Sequence, residues 1–221
     1  MKLNIQSSEP TDEYIIKQTP NEYRCVADFI PGSKVLDIGA HIGCFSLMAM
    51  SFGAEQVISV EPNPVSAAHL RKNVSFAPNR SIVIEAAVVG RDETTVTLRW
   101  LNTTWRSRPP KDERTEWRGR DYQFATARTV RFAELFTRYE PNLIKLDCEG
   151  AEYDMLQSID VMPSCVRTFT AEWHSFTPDA HSRYMKCIDQ LFAWGFKADK
   201  EVVTKFNSWG NFIRPIAWRR S

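Results

Sequence analysis

Apolar and polar positions along the chain follow two alternating patterns. Short apolar runs of strand length recur between longer stretches with helical spacing. Val35–Ile38 is an apolar run closed by Gly39, and the residues from Ile42 to about Phe52 follow with helical character. "QVISVEP" repeats the strand pattern and ends at Pro62, before a helix that opens at Pro64 and stops short of Pro78. "SIVIEAAVV" is a near-continuous apolar run, as expected of a strand covered on both faces. "TTVTLRWL" alternates like a further strand. The period is then lost from Asn102 to about Ala127 and returns in "VRFAELFTRY" (helix), "NLIKLDCEG" (strand) and "AEYDMLQSI" (helix). "CVRTFTAEWH" reads as a strand and "PDAHSRYMKCIDQLFAWGF" as a long helix. Two strand-like segments remain, near Lys197–Thr204 and Trp209–Trp218. Upstream, "TPNEYRCVADFI" predicts a helix capped by Thr19, with Pro20 at its first position and Glu22 completing a capping box.

Strands alternating with helices, then a strand-rich tail, predict a parallel α/β sheet with an antiparallel edge pair. The expectation is a single domain over residues 1–221, with a helical extension at about 1–31 and an insertion at about 102–127. Composition changes this picture little. The net charge of +1 gives no overall bias toward nucleic acid or an anionic membrane. Five cysteines, none in a C-x-x-C pair, argue against a disulfide framework or zinc site. No stretch approaches the roughly 20 apolar residues of a membrane-spanning helix, and the first residues show no apolar leader. The expected location is the cytoplasm.

The turn after the first strand carries the first chemistry. Gly39 allows a tight turn beside a ligand, and Gly43 allows close packing of the helix on the strand. Glu61 ends the second strand 22 residues after Gly39, where an acid can accept hydrogen bonds from both ribose hydroxyls. A dinucleotide fold places a glycine where this chain has Asp37. A carboxylate there repels a pyrophosphate and suits a cationic amino-acid tail, which favours S-adenosylmethionine over a dinucleotide. A plain tight strand–helix turn is the third reading.

A second cluster lies in "NLIKLDCEGAEYDML", where Lys145, Asp147, Glu149 and Glu152 crowd one strand end. With "VLDIGAHIGCFSL", "VEPNP", "AAVVG" and "AEWHS", this run resembles the FkbM-type family of S-adenosylmethionine-dependent methyltransferases over about Val35–Ser175. The resemblance implies a Rossmann-like seven-stranded, mostly parallel sheet with helices on both faces and an antiparallel C-terminal edge, the class I methyltransferase fold. It also implies methylation of a hydroxyl oxygen. Carried over, Asp37, Gly39, Ala40 and Gly43 would cradle the methionine part of the donor, with His41 as a further loop contact. Glu61 would hold the ribose, Pro62 and Asn63 would shape the adenine pocket, and Ala86 and Ala87 would offer contacts to the base. Asp147 would lie near the sulfonium.

An alcohol is a poor nucleophile, so its proton must be taken up as it attacks. Lys145, Asp147, Glu149, Glu172 and His174 are the available groups, and His174 is the nominee for general base because its ordinary pKa lies near neutrality. Asp147, Glu149, Glu172 and His174 also make an oxygen-rich set of the kind that holds Mg2+. The expected acceptor is a small metabolite or a carbohydrate. Arg99–Arg131 carries nine basic residues against four acids, interleaved with aromatic rings. That composition supports a nucleotide or RNA ribose as the alternative acceptor. Glu149, Trp105, Arg106 and Trp117 are the candidate contacts to the acceptor, whichever it is. A donor-binding module without catalysis is the reading from another class.

Overall fold

The structure, a computed structural model, describes residues 5, 10–100, 116–117, 120–121, 123–175, 177–200, 212–213 and 215–220. The first half contains α1 (Pro10–Glu22), a 3-10 segment (Arg24–Phe29), β1 (Lys34–Ile38), α2 (Cys44–Ser51), β2 (Gln56–Val60), α3 (Pro64–Val74), β3 (Ser81–Ile84), β4 (Ala87–Val89) and β5 (Thr95–Trp100). Then follow β6 (Glu116–Trp117), β7 (Arg120–Asp121), β8 (Gln123–Arg131), α4 (Phe132–Tyr139), β9 (Leu143–Leu146) and α5 (Glu152–Gln157). The last part holds β10 (Thr168–Ala171), β11 (Trp173–His174), α6 (Ala180–Ala193), β12 (Lys197–Ala198), β13 (Phe212–Ile213) and β14 (Trp218–Arg219).

Seven strands pair in the order β12-β14-β10-β9-β1-β2-β3, all parallel except β14, which runs antiparallel to both its neighbours. The chain winds outward from β1 to β3, then returns to lay β9 on the other side of β1. That reversal opens a crevice between the carboxyl ends of β1 and β9, the place where open α/β sheets bind ligands.

Alternation along the strands sorts side chains onto two faces. Leu36, Ile38, Ile58, Val60, Ile144 and Leu146 face the core shared with α4, α5 and α6. Val35, Val57 and Leu143 face the other core, with Phe45 and Leu47 of α2, Leu70 of α3, and Tyr23, Val26 and Ile30 from the N-terminal segment.

On this second face the sheet carries a polar row. Ser59, Asp37, Lys145 and Thr170 stand in register on β2, β1, β9 and β10, and all four are buried. Lys145 Nζ lies 3.1 Å from Asp37 Oδ1 and donates to the Gly39 carbonyl at 2.8 Å. Ser46 on α2 donates to Asp37 Oδ2 at 2.7 Å and sits 2.7 Å from Ser59 Oγ. Burying one charge from the pair without the other is costly, so the row holds only as a unit.

Four local expectations are corrected. Thr19 caps no helix: it is buried in the last turn of α1, and its carbonyl accepts from the Tyr23 N–H at 3.0 Å. The helix α1 begins earlier, at Pro10, and carries Thr19 and Pro20 inside it. The Ser81–Val89 run is two strands, because the chain leaves the main sheet at Glu85 and β4 pairs with β8. Arg128 Nε donates to the Glu85 carbonyl at 2.8 Å and holds that departure. Residues 123–127, expected within the insertion, begin the nine-residue strand β8, which pairs antiparallel with β5. The Cys165–His174 run divides into β10 and β11, and β11 pairs with β13 outside the main sheet.

Lys145→Met is expected to cost about 3–5 kcal/mol of stability, since it strands the Asp37 carboxylate in the interior. Urea unfolding at neutral pH measures it, and a loss below 1 kcal/mol would mean that Asp37 finds another partner.

Candidate active site

Three parallel strands end side by side at the crevice. The Asp147 N–H donates to the Ile38 carbonyl at 3.1 Å, and the Glu172 N–H donates to the Leu146 carbonyl at 2.9 Å. The Gly39 turn, Asp147 and Glu172 therefore follow one another across β1, β9 and β10. A Cβ added to Gly39, whose φ is +74°, would lie 1.7 Å from the Asp147 carbonyl oxygen. The two sequence signatures thus meet backbone to backbone, and the glycine is required by that approach. The left-handed φ of +94° at Gly43 favours glycine; its added Cβ would meet the Leu70 Cδ1 of α3 at 2.7 Å rather than the strand expected of it.

Asp147, Glu172 and His174 each offer a ligand atom, and these atoms lie within 4.8 Å of one another. His174 Nδ1 is 3.0 Å from Glu152 Oε1, and its Nε2 lies 4.0 Å from Glu149 Oε2. Glu152 also accepts from the Cys148 N–H at 2.7 Å, so one buried carboxylate braces both the Asp147 turn and the imidazole. Asp147 Oδ2 faces Lys145 Nζ at 3.5 Å and accepts from the Tyr23 hydroxyl at 3.2 Å.

The expected donor residues line the other side of the crevice. The Gly39 and Ala40 N–H groups both donate to the Val60 carbonyl. Glu61 accepts from the His41 N–H at 2.9 Å through Oε2 and from the Asn63 N–H at 2.8 Å through Oε1. His41 adopts a left-handed φ of +53° that aims its amide at this carboxylate. The Asn63 side chain caps α3 by accepting from the Val65 and Ser66 N–H groups, directly after Pro62. Ala86 and Ala87 are buried just past β3, and Ala86 lines a groove of about 410 Å³ that also touches Val130 and Leu135. Asp37 is fully buried beneath the turn and engaged by Lys145 and Ser46, so it acts on the crevice through them. Trp105 and Arg106 lie outside the described residues, as does the side chain of Trp117.

Comparison with known proteins decides what this crevice belongs to. Residues 37–198 match the family model of the methyltransferase FkbM domain. The chain belongs to the FkbM methyltransferase family. It is an S-adenosylmethionine-dependent methyltransferase. Its fold is similar to that of precorrin-6y C5,15-methyltransferase from Geobacter metallireducens GS-15, at a TM-score of 0.51 and 14% identity, covering 99% of this chain and 95% of that one. It is likewise similar to magnesium protoporphyrin IX methyltransferase from Synechocystis PCC 6803 with bound S-adenosylmethionine, at a TM-score of 0.50 and 12% identity, covering 100% and 88%. At such identities the likeness establishes the class I methyltransferase fold alone. No curated protein sequence matches the chain. Among the described residues, no helix of this FkbM protein is long and apolar enough to cross a membrane.

Electrostatics divide the acids of the FkbM site. Burial pushes Glu61 up to about 7 against the two amides that hold it. Burial, then the Asp147 charge, push Glu172 up to about 9. Asp147 is itself held below the usual carboxylate range: burial works against its charge, but Lys145, His174 and the Tyr23 hydroxyl outweigh that. Burial also opposes charge on His174, yet Glu152 and Glu149 lift it to about 10. At neutral pH the ligand-free site therefore pairs an imidazolium with an ionised Asp147 and a protonated Glu172. An imidazolium at His174 can donate a proton but cannot accept one.

Two contributing residues, Ser46 and Tyr23, escaped sequence reasoning, as did the role of a third, Glu152. Ser46 had a signal, as the polar residue inside the apolar run "CFSLMAM". Glu152 was visible in the second signature as a helix opener, but nothing in the spacing showed its carboxylate turning back to Cys148 and His174. Tyr23, 124 residues from Asp147, had no signal.

Gly39→Ala is expected to lower stability by about 3 kcal/mol or more, since backbone must shift and φ is left-handed. A urea midpoint equal to wild type would remove the close approach. For His174 and Glu172 the folded-state pKa is above the ordinary value, so their stabilisation is complete below the unfolded pKa and lost as pH rises through the folded one. The ligand-free melting temperature should fall from pH 7 to 9, within the windows 4.5 to about 9 for Glu172 and 6.5 to about 10 for His174. A Glu172→Gln, His174→Gln double variant should flatten that slope; an unchanged slope would assign it to other groups.

Proposed function

We propose that this methyltransferase acts on a hydroxyl oxygen of a small metabolite or carbohydrate. One observation carries the reading: an ionised Asp147 carboxylate stands beside Glu172 and His174 at the mouth of the crevice that holds the glycine turn. Glu61, with its orientation fixed by two backbone amides, accepts hydrogen bonds from the ribose hydroxyls of the donor. The methionine part lies against the 39–43 turn. Asp147 accepts a hydrogen bond from the acceptor hydroxyl and aligns its oxygen behind the methyl carbon, the main requirement of an in-line displacement. As the O–C bond forms, the C–S bond breaks and its electron pair passes to sulfur, giving S-adenosylhomocysteine. The hydroxyl proton passes to Asp147.

A second reading adds a metal. Two carboxylates and one imidazole, the latter oriented by a buried carboxylate on its other nitrogen, fit a divalent cation of the magnesium class. Asp147, Glu172 and His174 would hold it, and it would supply charge to stabilise a developing alkoxide.

The test is methyl transfer from labelled S-adenosylmethionine to fractionated host extract, with and without chelator. Asp147→Asn should reduce transfer by about 100-fold or more, while S-adenosylhomocysteine still binds; full activity would displace Asp147 from the reaction. Loss of activity in chelator, restored by Mg2+, would establish the metal reading, and indifference to chelator would dismiss it. Label in the polynucleotide fraction would replace the small acceptor with RNA. Donor binding without transfer to any fraction would leave a binding module.

A further inference from the structure

Tyr23 lies outside the FkbM match of residues 37–198, in the kink between α1 and the 3-10 segment. It is nonetheless buried against the centre of the site. Its ring packs edge-on against Phe45 at 4.9 Å between centroids. The Lys145 ammonium stands 5.6 Å from the ring centroid, within the range of a cation–π contact. Its hydroxyl donates to Asp147 Oδ2 at 3.2 Å. Nothing in core packing requires that hydroxyl, because a phenylalanine would fill the same space.

We infer that Tyr23 is a positioning residue for donor recognition, and that the N-terminal segment supplies this part of the site. The hydroxyl and Lys145 Nζ approach the same carboxylate oxygen, Oδ2, from two directions. Together they fix the rotamer of Asp147 and keep its other oxygen toward the crevice. A carboxylate so held discriminates charge: S-adenosylmethionine carries a sulfonium, whereas S-adenosylhomocysteine carries a neutral sulfide at the same place. The ring covers the Lys145 ammonium, so the opposing charge stays behind Asp147.

This inference rests on Asp147 facing the sulfonium, and calorimetry with the two cofactors separates the two claims. Tyr23→Phe keeps the ring against Phe45 and should leave the near-ultraviolet circular dichroism unchanged. It should weaken S-adenosylmethionine binding by about five-fold, the scale of one charge-assisted hydrogen bond, and leave S-adenosylhomocysteine binding within two-fold. In an Asp147→Asn background the same substitution should change neither affinity. Equal weakening of both cofactors would make Tyr23 a packing residue and overturn the inference. A Tyr23→Phe protein with wild-type affinities would also overturn it while leaving Asp147 in place. If Asp147→Asn alone leaves the ratio of the two affinities unchanged, both the inference and the role of Asp147 fall.

Discussion

The ion pair between Asp37 and Lys145 is the constraint on which the site depends. Parallel register puts the two residues side by side on β1 and β9, in a buried row whose other members, Ser59 and Thr170, carry no charge. A buried charge is tolerated only with its partner and hydrogen bonds in place. Lys145 meets that demand by reaching Asp37, the Gly39 carbonyl and Asp147 at once. The same ammonium thus ties the glycine turn of β1 to the carboxylate at the end of β9. The carboxylate expected to meet the donor directly is instead the anchor of that tie.

Above the tie, the site carries more acid than base. Asp147, Glu149, Glu152 and Glu172 surround His174, which responds by holding its proton far above the usual range. Glu172 responds by staying protonated. A ligand-free site of this kind is made to receive positive charge, and the donor of a methyltransferase brings a sulfonium.

Much of the architecture was legible because it depends on short-range patterns. The apolar runs at Val35–Ile38, Gln56–Val60 and Leu143–Leu146 could only be buried parallel strands, and the "IKLDCEGAE" run led to the family. Errors fell where tertiary contacts override a local pattern. Thr19 and Pro20 carry the signals of a helix start, yet α1 begins at Pro10 and runs through them to Glu22. The apolar run from Ser81 to Val89 has no internal mark of the point where β4 abandons one sheet for another; the break appears only where β4 pairs with β8, 42 residues further along the chain.

By itself the sequence determined the alternation of strands and helices and the two polar strand ends, since periodicity and turn chemistry are properties of neighbouring residues. It gave the kind of cofactor through the family its motifs belong to. Only the tertiary structure decided which acid stays charged, which histidine holds a proton and which tyrosine enters the site. Charge state depends on burial and on groups brought within a few ångströms, and folding brings those from Glu152, 22 residues from His174, and from Tyr23, 124 residues from Asp147.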